Sequence, residues 1–284
     1  MSQIKFSVII PTYHRNDLLA QCLNCLAPSV QTLPADEYEV IVTDDGSQTT
    51  AQEMIKQDYP WAKWVAGPRK GPAANRNNGA KYAQGEWLAF TDDDCLPDPQ
   101  WLEGYAKAIF DEPDCLVFEG RTYVDRPRRS LAETAPTNET GGCLWSCNFA
   151  VKKQLFEALG GFDERFPYAA MEDVEFRLRL TKTGHKYLFV KEASLCHPWR
   201  YMGGWQKMQQ HNTSVFIYLS THPQESATIN SIYYLKLIFR GFLNEMITGI
   251  FTLKGKGVRE ILLQRIAWLH MAILFIIKYK SVNI

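Results

Sequence analysis

Short apolar runs alternate with amphipathic stretches over the first 120 residues, and three of those runs end in a polar signature. Residues 6–10 lead into Pro11-Thr12-Tyr13, residues 38–43 into Asp44-Asp45-Gly46-Ser47, and residues 86–91 into Asp92-Asp93-Asp94. Their length and their aliphatic and aromatic content read as buried strands, with further strands near 64–66 and 116–119. Helical spacing fills the gaps at about 17–26, 50–57, 75–84 and 101–110, with Asn16 placed to cap the first helix. This alternation predicts an α/β fold with a mostly parallel, Rossmann-like sheet covered by helices on both faces. Ligands of such sheets bind at the carboxyl ends of the strands. If these strands are parallel, all three signatures meet along one edge.

The acids carry the most chemistry. Carboxylates at the end of a buried strand need a positive partner. Two of them one residue apart suit Mg²⁺ or Mn²⁺, hard cations that keep water and also take diphosphate oxygens. The bland alternative is a solvated turn, since Pro97 and Pro99 follow at once.

Beyond the alternating region, residues 123–142 are polar and aperiodic, and read as a mobile loop containing Arg126, Arg128 and Arg129. Helical patterns resume at 152–159 and 172–183, and the chain is mostly helical after Gly203. The expected division is a catalytic domain over 1–202, with a nucleotide half at about 1–120 and an acceptor half at 121–202. A helical C-terminal region follows at 203–284.

Charge is uneven. Lys236 to Lys280 carries eight basic residues against Glu245 and Glu260, a balance of +6 in a chain of zero net charge. Such a tail suits an anionic surface. Its last apolar stretch, residues 266–277, is about 18 Å long as a helix and too short to cross a bilayer core of about 30 Å. A basic amphipathic helix lying in the membrane interface is therefore expected over 232–280, against the alternatives of packing on the catalytic domain or a homodimer contact. Lys/Arg excess confined to an aliphatic tail gives no support to nucleic-acid binding. Seven scattered cysteines do not form a disulfide framework, and residues 1–5 are polar with no leader-like apolar run after them. Both points indicate a cytoplasmic protein, or one on the cytoplasmic face of a membrane.

The ordered motifs Val8-Ile9-Ile10-Pro11-Thr12-Tyr13, Asp44-Asp45-Gly46-Ser47, Gly71-Pro72-Ala73-Ala74-Asn75-Arg76-Asn77, Asp92-Asp93-Asp94, Gly160-Gly161-Phe162-Asp163-Glu164 and Glu172-Asp173 resemble family 2 glycosyltransferases of the GT-A fold. The likeness spans about residues 4–200. It implies a nucleoside-diphosphate sugar donor (a UDP-sugar first), a divalent cation, and inversion at the anomeric carbon with a glycan or lipid-linked acceptor. By motif match, Asp94 touches the metal, and Asp92 reaches the ribose or metal-bound water. Pro11, Thr12, Tyr13 and Asp45 hold the base, and Arg76 lies near base and phosphates. Asp173 is the general base. A histidine in the region of Cys196-His197-Pro198-Trp199 completes the metal site in some members, which points to His197.

The residues themselves are compatible with these roles. Asp173 opens a helical pattern, where the macrodipole favours its ionised form, and apolar Val174 and Leu178, with Phe176 and Leu180 beside them, suit packing on a sheet. Trp199, Tyr201 and Trp205 could stack on a sugar or belong to the core. Three other readings compete. A processive synthase would carry a Gln-x-x-Arg-Trp motif, which is absent from the sequence, and a nucleotidyltransferase would carry a Gly-rich loop after the first strand. A non-catalytic carbohydrate-binding protein on the same fold would not need Asp92, Asp94 and Asp173.

Overall fold

The computed structural model describes residues 5–280, the last three by backbone alone. The leader reading at residues 1–4 and the side chains of Lys278 and Lys280 lie outside the described residues. In chain order the elements are β1 (Phe6–Thr12), α1 (Asn16–Leu26), β2 (Tyr38–Asp44), α2 (Gln52–Asp58), β3 (Ala62–Ala66), α3 (Pro72–Lys81), β4 (Trp87–Thr91), β5 (Leu96–Pro97), α4 (Trp101–Asp111) and β6 (Val117–Tyr123). They continue with β7 (Glu133–Thr134), β8 (Asn148–Lys152), α5 (Lys153–Ala158), α6 (Glu172–Lys182), β9 (Leu188–Cys196), β10 (Arg200–Tyr201), α7 (Trp205–Thr221), α8 (Ser231–Phe239), α9 (Phe242–Ile247) and α10 (Val258–Lys280). The chain divides into two compact units: one runs to Asp125 and includes Pro136–Pro198, and the other joins Arg126–Ala135 to the chain from Trp199 onward.

The first unit is α/β. Its sheet has eight strands in the order β3-β2-β1-β4-β8-β6-β9-β5. The first four are parallel; β8 runs against both β4 and β6, and β9 is parallel to β6. Alternation along β1 assigns its two faces. Val8 and Ile10 pack with Leu19, Leu23 and Leu26 of α1 and with Trp101 and Leu102 of α4. On the other face, Gly79 of α3 lies against Ile9 and Thr43. The ring of Phe90, beside Ile9 in register, stacks on Phe149 at 4.9 Å and meets Phe156 and Phe162, and Phe176 of α6 closes that cluster. Each such ring contributes about 1.5–3 kcal/mol by burial.

Some local expectations are corrected. Asn16 is the first residue of α1 and makes no cap; its side-chain amide donates instead to the Thr50 carbonyl. Of the four apolar positions in α6, Phe176 and Leu180 are buried together with Glu172 and Glu175, whereas Val174 and Leu178 are only partly buried. Phe176 sets the rotation of the helix by joining the aromatic cluster, and the forked ion pair of Arg179 compensates burial of Glu175. Strand β8 had no expected counterpart, because a five-residue run beside a helical pattern shows no period of its own.

Asn148, at the start of β8, ties this sheet together. Its side-chain oxygen accepts from the Trp101 indole and the Tyr105 hydroxyl, both at 2.8 Å, and its amide donates to the Arg121 carbonyl at 2.9 Å. Asn148→Ala strands two buried donors, so urea unfolding is expected to show a loss of roughly 2–5 kcal/mol. A loss within about 0.5 kcal/mol, the scale of a neutral surface change, would show that the contacts do not matter.

The second unit is mostly helical. Residues 126–135 do not run free: the Glu133 carboxylate accepts from the Arg126 guanidinium and from the backbone N–H of Arg129 and Ser130. Arg126 holds that carboxyl down at about 2. Strand β7 pairs with β10, and α10 packs along α7 and α8. The twelve apolar residues counted from sequence understate α10. Its Val258–Ile277 stretch, of mean hydropathy 1.7, is long and apolar enough to cross a membrane, although a third of the relevant window is buried within the unit. Arg265 does not interrupt that helix, because its guanidinium turns inward to the Leu237 carbonyl and the Glu245 carboxylate.

Candidate active site

Register brings the three signatures to one edge. Thr12 at the end of β1 sits beside Asp44 at the end of β2, and β4 runs parallel to β1 on its other side. The chain leaves β4 in a turn, with the Cys95 N–H donating to the Asp92 carbonyl at 3.2 Å, so the extended alternation does not persist through the acids. Asp93 is buried, accepts from the Thr12 hydroxyl at 2.8 Å and pairs with Arg15 at 3.1 Å. Burial pushes its carboxyl up to about 7 against the pull of Arg15. Asp94 also meets Arg15, at 3.2 Å.

The first two strand ends build a loop cradle. Asp45 accepts from the N–H of Arg69 at 2.8 Å and of Gly71 at 3.2 Å. Burial raises its carboxyl, partly offset by those two donors. A Cβ on Gly67 would lie 2.2 Å from an Asp45 oxygen, so only glycine lets this loop approach. Pro11 and Thr12 are buried, whereas Tyr13 is 59% exposed with its ring 4.3 Å from that of His14.

Arg76 lies among the acids. It is buried on α3 and bridges Asp92 at 2.6 Å and Glu172 at 3.1 Å. Burial works against its charge, and the two carboxylates more than offset that, so its pKa is raised. Glu172 goes up to about 7 through burial and its neighbour Asp173. Met171 takes the left-handed region (φ 70°) immediately before the pair and starts α6 there. Asp173 is half-buried; its Oδ1 accepts from the Val174 N–H at 2.8 Å, and burial raises its pKa. Asp92, Asp93, Asp94, Glu172 and Asp173 thus share one electrostatic neighbourhood, in which Arg15 pairs with Asp93 and Asp94, and Arg76 with Asp92 and Glu172.

His197 follows β9, fully buried, with its backbone N–H donating to the Tyr123 carbonyl at 2.7 Å. Nδ1 lies 2.9 Å from the Pro198 carbonyl, which places the ring proton on Nδ1 and a lone pair on Nε2. That Nε2 has no hydrogen-bond partner among the described residues and lies 3.4 Å from Asp94 Oδ1. A lone pair facing a carboxylate oxygen calls for a proton or a cation between them. The Cys95 sulfur completes a group of three potential ligand atoms within 4.8 Å of one another. The donor set fits a divalent cation.

Sequence reading gave no role to four of these participants. Arg15 and Cys95 flank motif residues and carried no spacing signal, and Glu172 lay in the Glu172-Asp173 motif, whose role went to its neighbour. The fourth, Glu119, was legible in principle as a lone acid in the apolar run of β6. It is buried and accepts from the N–H groups of Cys143 and Leu144 and from the Asn138 amide, and so shapes the loop leading to Ser146. The Ser146 backbone in turn reaches Asp173. Of the three aromatic residues that close this region, Trp199 lies under Arg128, Trp205 meets His270, and Tyr201 is 72% exposed.

A family model described as "Glycosyl transferase family 2" matches residues 7–160. The chain is 30% identical over 217 residues to Glycosyltransferase AglE of Haloferax volcanii, covering 72% of this chain and 70% of that protein. It is also 30% identical over 228 residues to Validoxylamine A glucosyltransferase of Streptomyces hygroscopicus subsp. limoneus, covering 66% of this chain and only half of that protein. The fold of S. aureus TarS 1–349 in complex with UDP-GlcNAc superposes with a TM-score of 0.58 at 20% identity, over 86% of this chain and 75% of that one.

Proposed function

Since the chain belongs to glycosyl transferase family 2, we propose that it moves one sugar, with inversion, from a nucleoside-diphosphate sugar to a hydroxyl of a glycan or lipid-linked acceptor. The observation that carries the finer reading is His197 Nε2, buried without a hydrogen-bond partner among the described residues and facing Asp94.

Asp94 and His197 would hold Mn²⁺ or Mg²⁺; nitrogen in the set favours Mn²⁺. When bound, such a cation would offset the negative charge that develops on a leaving diphosphate. The chain's residues do the rest. The cradle of Pro11, Thr12, Tyr13 and Asp45 receives the nucleoside, with Tyr13 offering an exposed ring face to the base. Arg76 locks Asp92 and Glu172 in place, which orients Asp92 toward the ribose. Asp173 keeps a solvent-facing side at the start of α6, where it takes the proton of the acceptor hydroxyl as that oxygen attacks the anomeric carbon. Attack from the side opposite the leaving group inverts the centre. UDP is the leading nucleotide, a choice supported by the UDP-GlcNAc bound to the similarly folded TarS. Unit two supports contact with a membrane surface through its exposed Ile232, Phe239, Leu243 and Phe251 beside basic Lys236 and Arg240.

A panel of nucleotide sugars, tested by thermal shift with Mn²⁺ and again with EDTA, checks the donor. A UDP-sugar should raise the melting temperature in Mn²⁺ by mass action, and the shift should shrink in EDTA. No response to any nucleotide sugar in either condition would refute the proposal.

A further inference from the structure

Unit two contains a cavity of about 730 Å³, within the range that holds small ligands. Its walls carry Arg126, Arg129, Lys256 and Arg259 against two acids, Glu133 and Glu260. Glu133 is already committed: Arg126 and the backbone of Arg129 and Ser130 take up its carboxylate. Arg129, Lys256 and Arg259, in contrast, make no ion pair among the described residues. Three cations therefore line one concavity with Glu260 as the one wall acid left to offset them.

The backbone fixes this arrangement. Lys254, Gly255 and Gly257 all take left-handed conformations, with φ of 52°, 77° and 83°. The Lys256 carbonyl accepts from the Leu131 N–H at 3.0 Å, and a Cβ on Gly257 would lie 2.2 Å from the Ala132 nitrogen. The loop is thereby pinned to residues 131–132, with Lys256 and Arg259 on the wall. Helix α10 starts at Val258, so its positive end adjoins the wall residues Lys256, Gly257 and Arg259. On the same helix Leu262, Ile266, Leu269 and Ile273 are all at least 43% exposed and recur at helical spacing, forming an apolar stripe.

We propose that this cavity binds a phosphate or diphosphate group, and that the group is carried by a lipid whose hydrocarbon runs along the α10 stripe. The cations match the anion, and the stripe gives a reason for the carrier to be amphiphilic. This site does not depend on the transferase chemistry of unit one.

The test uses the full chain in EDTA. Isothermal titration with inorganic pyrophosphate should detect binding. Charge reversal in a Lys256→Glu/Arg259→Glu variant should weaken it by about tenfold or more, the scale of one lost charge-assisted contact. UDP binding in Mn²⁺ should match wild type, which separates this site from the donor site. Should the double variant fail to fold, Arg129→Gln, at an exposed and unpaired position, should weaken pyrophosphate in the same direction. Sedimentation with phosphatidylglycerol vesicles, compared with phosphatidylcholine, tests the source. Pelleting that pyrophosphate displaces supports the lipid-borne group. Pyrophosphate binding that is lost in the variant, without pelleting, keeps the anion site and overturns its lipid source. Pelleting that pyrophosphate cannot displace, or variant binding equal to wild type, overturns the proposal.

Discussion

Asp94→Ala is expected to lower transfer by about 100–1,000-fold, the scale of removing one stabiliser of charge that develops in a transition state. Nucleoside-diphosphate affinity should fall in Mn²⁺ and change little in EDTA. The fold should persist, because Arg15 keeps Asp93 as its partner when Asp94 is lost. The argument is geometric. Asp94 touches both the His197 imidazole and the Arg15 guanidinium, so it is where a cation can be held between a carboxylate and a nitrogen lone pair. Steady-state transfer, nucleotide titrations with and without Mn²⁺, and a melting curve together check it. If the variant and EDTA both leave transfer unchanged, the metal-dependent reading is wrong.

Asp173→Asn is expected to reduce turnover by about a hundredfold or more while donor affinity stays near normal. Asparagine keeps an oxygen to accept the Val174 N–H, so the start of α6 need not move. The pH profile gives an independent readout. A base works only when ionised, and burial raises the Asp173 pKa, so the acid limb of kcat/KM should lie above the ordinary carboxylate value. Activity is therefore lost as pH falls through that raised value and is retained above it. Glu172, at about 7, is the competing carboxyl, and Glu172→Gln should leave an acid limb in place. Wild-type turnover in Asp173→Asn would remove the residue from this role.

The parallel strands and their polar ends were legible because buried strands differ sharply from amphipathic helices in period. That was enough to place Asp45, Asp92 and Asp94 near one edge before any coordinates. What pairing does to those acids was not legible. The motif match put Arg76 near base and phosphates, but local pattern cannot show that Glu172, 96 positions away, meets it. Arg15 fell outside every motif, yet it bonds two acids nearly 80 positions on. In α6 the apolar Phe176 and Leu180 were legible, but buried Glu175 imitates a surface residue until its partner Arg179 is seen. Likewise, charges inside α10 hid its length, since Arg265 finds its partners on other helices.

The excursion of Arg126–Ala135 into the second unit has a consequence for how this protein can be divided or recombined. A fragment ending at residue 198 would contain every strand of the large sheet, yet leave residues 126–135 without their partners. The Ala132 carbonyl would lose the Met202 N–H, the Leu131 N–H would lose the Lys256 carbonyl, and β7 would lose β10. A fragment starting at residue 199 would lack the Glu133 clip. One crossover in the chain therefore cannot exchange the second unit for that of a relative. A chimera that preserves both units must take residues 126–135 and the C-terminal region from the same parent.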